Sequence, residues 1–434
     1  MPTSNTLSIP NRNATAKRIM ILGGGFGGFH TLLQLMSNVK NSDNAKITIV
    51  SDENYFLFSP LLHAVAAGGI ETRHITFPIR RLSSNDKFTF IQANVERIDL
   101  DNLTVTTNLG TFDFDYLVLA LGGITNTEQL EDIVREERKI FFIKTLYDSM
   151  LIRNHVLKVF ELASTNKNTE YQRQLLTFVI CGGGYTGVQM ASELRDFINR
   201  SLLKFYRSID PSSIRIMIIE TTSRIVGDLH AKLCAYATET VQRLGIVVRL
   251  ESRVTGVWKD RIEINGSEML PTDTLIWATG VVANPKVADL NVSRDAMGRV
   301  VVNEFLQVNN FPQIYAVGDC AHFLDPQSSF ATPPRAHNAV RQAKIAAYNI
   351  LADIRGEHMK AYRPNNSGEV VFLGATKAVF RFYGFRMYGR LAYFIGLVGY
   401  SLLIKGFYSR IRVIIDWVLF SIFGRDTTFL RQIE

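Results

Sequence analysis

Apolar residues in this chain gather in short runs that end on small residues. The run KRIMIL (17–22) leads into GGGFGG, then into apolar residues at helical spacing to about Val39, and ITIVSDENY follows as a second strand. The same pattern recurs as LLTFVI, CGGGYTGVQMASELRDFI and SIRIMIIE. This is an internal duplication of a βαβ unit, and two nucleotide-binding domains account for it economically. Residues 131–165 read as helical with short linkers, and the polar stretch STNKNTEYQRQ marks a boundary before the second unit. Three further strand-like runs end on small residues: YLVLALGG, TLIWATG and QIYAVGD. A helix is expected from Arg335 to about Arg355, with a break at Pro364–Gly368.

Composition adds a size and a surface. The 434 residues are 47% hydrophobic and 20% charged, enough for a sizeable core and for two or three domains. The net charge of +8 fits either nucleic acid or an anionic membrane, and its position decides between them. From Ala375 onward nine basic residues face three acidic ones (9 − 3 = +6 of the +8), interleaved with Phe, Tyr, Trp and Leu. That mixture favours a lipid surface and argues against nucleic acid. A dimer interface or core helices would use the same residues. The longest uncharged stretch there, Leu391–Ile404, has 14 residues, short of the roughly 20 a spanning helix needs. Cys181, Cys234 and Cys320 are far apart, which disfavours a disulfide framework or a zinc site. Residues 1–16 lack an apolar signal core and read as a loose arm.

Two motifs carry the chemistry. Gly23, Gly25 and Gly28 form a GxGxxG turn between strand and helix, with Phe26 and Gly27 inside it. The first glycine permits the tight turn, the second lets backbone approach a pyrophosphate, the third permits close helix packing, and the helix N-terminus stabilises phosphate charge. Gly182, Gly184 and Gly187, with Tyr185 and Thr186 between, meet the same test independently. Glu220 closes the following strand, where a carboxylate accepts from a ribose 2′-hydroxyl and repels a 2′-phosphate, so NADH is expected over NADPH. Arg224, four residues on, is the nearby cation that would favour the phosphate. In the first unit the corresponding position holds Ser51, with Asp52 one residue beyond as the substitute carboxylate.

The order of fingerprint, ALG, second fingerprint, ATG and GD resembles the two-dinucleotide-domain flavoproteins of the glutathione-reductase-like superfamily. The finer resemblance is to type II NADH:quinone dehydrogenases, over residues 17–425. It rests on GGGFGGFH, NYFLFSPLLHAVAAGGI, FDYLVLALGG, GGGYTGVQMASEL, LIWATGV, IYAVGDCA and PPRAHNAVRQAKIAAYNI. The resemblance implies FAD held by Gly23–Gly28, Gly318 and Asp319, with Asp319 on the ribityl chain. It also implies small strand ends at Ala120, Gly122, Thr279 and Gly280, and Pro60 and Ala336 near the flavin. Gln189 stands where relatives have Glu near the nicotinamide. His337, Arg341 and Gln342 stand in the stretch that meets the quinone. His337, Arg341, Lys344 and Tyr348 also share one helical face, which reads equally as a solvated polar stripe.

The expected architecture is α/β: an FAD domain split over 17–124 and 291–365, an NADH domain at 125–290, and a membrane-associating helical segment at 366–434. No metal is expected. A peripheral, homodimeric enzyme on the cytoplasmic face of the cell membrane follows from the resemblance. A soluble flavin or ferredoxin-type reductase and a low-turnover flavin/NADH sensor are the other readings. Disulfide reductases of this fold need a close cysteine pair after the first fingerprint, and no cysteine precedes Cys181. Sulfide:quinone oxidoreductases also use a cysteine pair, whereas Cys181, in an apolar strand, and Cys320, beside Asp319, read as small packing residues.

Overall fold

The computed structural model describes residues 16–82, 87–327, 330–365 and 368–429. The first fifteen residues of the expected arm, and Arg431 and Glu434 of the tail's charge count, lie outside them. Eight of its helices, in chain order, are α1 (Phe26–Asn38), α2 (Leu62–Ala66), α3 (Leu146–Thr165), α4 (Tyr185–Phe197), α5 (Ala231–Arg243), α6 (Ala336–Arg355), α7 (Arg390–Leu403) and α8 (Phe407–Phe423).

The chain divides into two compact units. The first comprises the stretch up to Leu57, Thr76–Ile124 and Val281–Asn365. Its six-stranded sheet runs Gln307–Val308, Phe311–Ala316, Tyr116–Leu119, Lys17–Leu22, Ala45–Ser51, Phe88–Gln92. All neighbours are parallel except the first pair. Ile19, Ile21, Leu22, Leu117 and Val118 are fully buried, as expected for strands covered on both faces. Helices α1 and α6 pack together, and α6 ends at Gly356, whose φ of +66° is the left-handed conformation that stops a helix.

The second unit comprises Phe58–Ile75, Thr125–Gly280 and the chain from Asn366 onward. Its parallel sheet runs Phe141–Phe142, Thr274–Trp277, Thr177–Cys181, Arg215–Ile219, Ile246–Arg249. The helical segments expected over 131–165 are present as the short helix Glu128–Ile133 and α3, but the edge strand Phe141–Phe142 lies between them. Phe141 pairs with Ile276, so burial against a sheet edge overrides helical spacing there. Part of the polar boundary stretch is also helical, Thr169–Leu175, capped by the Asn168 side chain.

The tail is not purely helical. Glu369–Phe372, Ala378–Phe382 and Phe385–Gly389 form an antiparallel sheet before α7 and α8. One polar stripe of α4 receives it. Gln189 Oε1 accepts the Phe372 N–H at 3.1 Å, Asp196 accepts the Ala375 N–H, and Glu193 pairs with Arg425. Positions 189, 193 and 196 are spaced by four and three, one face of a helix. Beyond α4 the helix widens into a π-helical turn at Ile198–Leu202, where Ser201 Oγ accepts the Arg425 N–H at 2.8 Å. Arg153 reaches the Asp426 carboxylate and carbonyl at 3.1 and 3.2 Å. Asp416, in the middle of α8, accepts from the Glu71 N–H at 3.0 Å and contacts His74 Nδ1 at 2.6 Å.

Candidate functional site

Each unit carries the same kind of turn. Gly23 has φ +105° and Gly182 φ +107°, and a Cβ at either would lie 2.2 Å from the Ala120 oxygen or 2.7 Å from the Ala278 oxygen. Only glycine tolerates both the conformation and the approach. At Gly28 and Gly187 a Cβ would sit 1.9 Å from the oxygen of Gly23 and of Gly182, so each helix leaves its strand at closest contact. Gly25 and Gly184 have nothing within 4 Å of a built Cβ, and they cap α1 and α4. The first N–H groups of those helices have no intrahelical acceptor and carry the positive end of the helix dipole. Both turns therefore present a helix N-terminus with room for a pyrophosphate. Phe26 and Gly27 sit inside the first, Phe26 edge-on to Phe56 with ring centres 5.0 Å apart; Tyr185 and Thr186 sit inside the second.

The units differ at the next strand end. Glu220 Oε2 accepts the Gly183 N–H at 2.6 Å and Oε1 accepts the Thr222 N–H at 2.8 Å. Burial pushes its pKa up, but the Thr222 and Gly183 N–H groups outweigh this and hold the carboxyl below its ordinary value. Glu220 is thus a fixed anion beside the second turn. Gly24 meets Ser51 as Gly183 meets Glu220: a Cβ on Gly24 would lie 2.8 Å from Ser51 Oγ, and one on Gly183 3.0 Å from Glu220 Oε2. Ser51 is buried, and the exposed Asp52 lies one residue past the strand with its Oδ1 3.4 Å from Ser51 Oγ.

The small strand ends have structural partners. The Ala120 N–H donates to the Leu22 carbonyl at 2.9 Å, and the Gly122 carbonyl accepts the Asn284 N–H at 3.1 Å. Thr279 lies at the end of the second sheet, and the Gly280 carbonyl accepts the Asn126 N–H at 3.1 Å. Gly318, Asp319 and Cys320 form a 3₁₀ turn, with φ +72° at Gly318 and Asp319 half-buried. The Gly318 N–H donates to Gln342 Oε1 at 2.7 Å. Gln342, expected on the quinone side, is buried and braces the turn that presents Asp319.

The face of α6 is mixed. Ala336 opens the helix after Arg335, and His337 stands half-buried in its first turn. Arg341 donates to the Asn365 carbonyl at 2.9 Å, Lys344 is exposed, and the Tyr348 ring lies under Lys360 at 3.9 Å. The outer half of the stripe is thus solvated and locally partnered. Gln189, expected beside the nicotinamide, spends its carbonyl oxygen on the tail strand. Pro60 lies in the short 3₁₀ helix Ser59–Leu61, within the segment Phe58–Ile75 of the second unit. Sequence reading missed the partnerships of Arg425 and Asp416. The signal for Arg425 was the 189/193/196 stripe on α4, which needed a partner. The three cysteines form no disulfide and are buried, and burial pushes the Cys181 thiol up.

Residues 17–343 match the pyridine nucleotide-disulphide oxidoreductase family. A probable NADH dehydrogenase of Dictyostelium discoideum is 30% identical over 420 residues, 94% of this chain and 90% of that one. A type II NADH:quinone oxidoreductase of Staphylococcus aureus is 26% identical over 381 residues, 87% of this chain and 92% of that one. The structure of NDH2 from Plasmodium falciparum in complex with NADH superposes with a TM-score of 0.86 at 22% identity, covering 95% of this chain and all of that one, a likeness of fold. With two matching glycine turns, a strand-end glutamate and this similarity along its length, the chain belongs to the pyridine nucleotide-disulphide oxidoreductase family, among its type II NADH:quinone dehydrogenases.

Proposed function

We propose that the chain binds FAD and passes electrons from NADH to a membrane quinone without moving protons across the membrane. The observation that carries this is the asymmetric duplication: two pyrophosphate cradles of one design, of which only the second has a fixed carboxylate at its strand end. In this reading the turn Gly23–Gly28 and the N-terminus of α1 hold the FAD pyrophosphate, Ser51 and Asp52 meet its ribose, and Asp319 meets its ribityl hydroxyls. The turn Gly182–Gly187 and α4 hold the NADH pyrophosphate, and Glu220 accepts from its adenosine ribose. When bound, FAD supplies the ring that accepts a hydride and returns two electrons. The chain supplies position and charge: helix N-termini neutralise phosphates, and Glu220 selects the unphosphorylated ribose. His337 and Arg341 remain the proposed quinone-side groups.

The tail supports a lipid-surface role. Among the described residues no helix is long and apolar enough to cross a membrane. Leu391, Phe394, Val398 and Leu402 on α7 are 60–64% exposed at spacings of three and four, an outward apolar stripe. Phe407, Val418, Ile422 and Phe423 continue it on α8, between 51% and 78% exposed, with Lys405, Arg410 and Arg412 beside them. We read this as peripheral docking on the cytoplasmic face, compatible with a homodimer. The test is anaerobic reduction of the bound flavin by NADH, followed by reoxidation with a series of quinones. Rapid bleaching and rapid quinone-dependent recovery support the function. Bleaching that recovers only with oxygen or a one-electron carrier makes the chain a soluble-type reductase, and slow bleaching makes it a sensor.

A further inference from the structure

Among the described non-glycine residues with positive φ, Val226 alone is β-branched. Its φ is +45° and it is 1% exposed. A branched Cβ makes this conformation a true outlier, which persists only where the surroundings impose it. The surroundings here are those of the second glycine turn.

After the strand Arg215–Ile219 the chain passes Glu220 and runs through Thr221–His230 to α5. On the way Ile225 packs against Gly183, where a built Cβ would lie 2.8 Å from Ile225 Cγ2. The next residue, Val226, donates its N–H to the Gly183 carbonyl at 2.7 Å. The Val226 carbonyl accepts the Leu229 N–H at 2.9 Å and faces Cys234 Sγ on α5 at 3.4 Å. Because φ sets a residue's N–H against the rest of it, the left-handed value lets both ends of Val226 be bonded at once. The Gly183 N–H is meanwhile taken by Glu220 at 2.6 Å. Glu220 is braced in turn: its carbonyl accepts the Ser252 N–H at 2.9 Å, and the Thr222 carbonyl accepts the Glu251 N–H at 3.1 Å. Gly183 is thus held at both its N–H and its carbonyl.

The first turn has the shape without these bonds. A Cβ on Gly24 would lie 2.8 Å from Ser51 Oγ and 2.9 Å from Ile79 Cδ1, so Ser51 and Ile79 take the places of Glu220 and Ile225. Yet no hydrogen bond among the described residues reaches Gly24. The difference matches what each turn is read to hold. FAD stays bound and can order its own turn once, whereas NADH enters and leaves at every turnover. A turn fixed in advance removes the ordering cost from each entry.

We propose that Val226 is a positioning residue for NADH. Its N–H, aimed by the left-handed conformation, holds Gly183 against Glu220 and sets the start of α4 before the nucleotide arrives. The proposal rests on the reading of the second turn as the NADH site.

The test uses the full-length, FAD-loaded protein. The α-hydroxy analogue of valine at position 226 turns the peptide bond before that residue into an ester, which removes the N–H and keeps the side chain. The NADH KM, and the Kd of NAD⁺ by calorimetry, should rise about fivefold, the loss of one hydrogen bond. The kcat with ferricyanide and the flavin content should not change. Val226→Gly does the reverse: it keeps the N–H, adopts the left-handed conformation freely and loses the buried side chain. It should recover most of the nucleotide affinity lost in the ester while melting below the wild type. A residue that only packs the loop gives the opposite order. An ester at wild-type values, or a glycine variant as weak as the ester, overturns the proposal. Should the ester not fold, the glycine variant decides: a KM near wild type supports the proposal and a rise of about fivefold overturns it. The underlying reading fails separately. Wild-type protein that binds no NAD⁺, or an ester that loses flavin in place of NAD⁺ affinity, shows that the second turn is not the NADH site.

Discussion

Replacing Glu220 by Gln removes one negative charge and keeps the side-chain shape. Its carboxylate is held by the Gly183 and Thr222 N–H groups at 2.6 and 2.8 Å, so its position is fixed before any nucleotide arrives. A 2′-phosphate at that ribose carries a charge of about −2. Two unit charges about 4 Å apart in water interact by about 1 kcal/mol, so the fixed carboxylate disfavours the phosphate by at least about 2 kcal/mol. That is about thirtyfold in affinity. In Glu220→Gln the repulsion disappears, and the bond to the ribose hydroxyl of NADH changes from charge-assisted to neutral, costing about 1 kcal/mol more. The NADH/NADPH ratio of kcat/KM should therefore fall by about two orders of magnitude, most of it through a lower KM for NADPH. Steady-state rates with ferricyanide measure this without involving the quinone. An unchanged ratio, in a variant that melts within a few degrees of the wild type, would refute the assignment and shift attention to Arg224.

Three further outcomes are expected. Asp319→Ala should fold, because Gln342 holds the neighbouring turn through the Gly318 N–H, and should retain much less FAD by absorbance at equal protein; full flavin retention reduces Asp319 to a turn residue. Phe394→Gln with Leu402→Gln, both more than 60% exposed, should weaken co-sedimentation with anionic vesicles while leaving ferricyanide activity unchanged; unchanged sedimentation removes this stripe from the docking face. Asp43, hydrogen-bonded to Arg355 at 2.6 and 2.8 Å, has its pKa held below the ordinary value by that guanidinium. The pair's contribution is therefore complete above the ordinary carboxylate range and is lost as pH falls through the depressed folded value. The melting temperature of Asp43→Asn should lie below wild type at neutral pH and converge with it on acidification, and parallel curves down to the lowest pH would exclude the linkage.

Local backbone demands were legible in the sequence because few residues can meet them. Gly23, Gly28, Gly182 and Gly187 announce their turns, since any Cβ would collide with a neighbouring carbonyl. Buried strands such as Ile19–Leu22 and Val179–Cys181 were legible as apolar runs. Partnerships between distant segments were not. Gln342 reads as a polar residue on a helix face, and only the fold brings its carbonyl to Gly318, 24 positions away. Phe141–Phe142 carries no strand signal beyond two aromatics, and gains its conformation from the edge it pairs with.

In the tail, composition alone points the wrong way about such partnerships. Its basic and aromatic content suggests an appendage that could be removed while two nucleotide domains remain. In the structure it completes the second unit: Phe372 and Ala378 are buried, Gln189 and Asp196 accept its backbone N–H groups, and Arg425 neutralises Glu193. Deleting it would leave Glu193 and Asp196 without these partners and uncover their apolar surroundings. Losing one partner of a buried ion pair alone costs about 3–5 kcal/mol, a large share of a typical domain's stability. Truncation at Ala375 therefore tests folding before it tests membrane binding. Because α8 is clasped at Asp416 and again by Arg425 and Asp426 just past its end, its outward face is held in place without lipid. In the docking proposed above, little chain ordering is then needed, because the apolar stripes and nearby cations are a preformed surface.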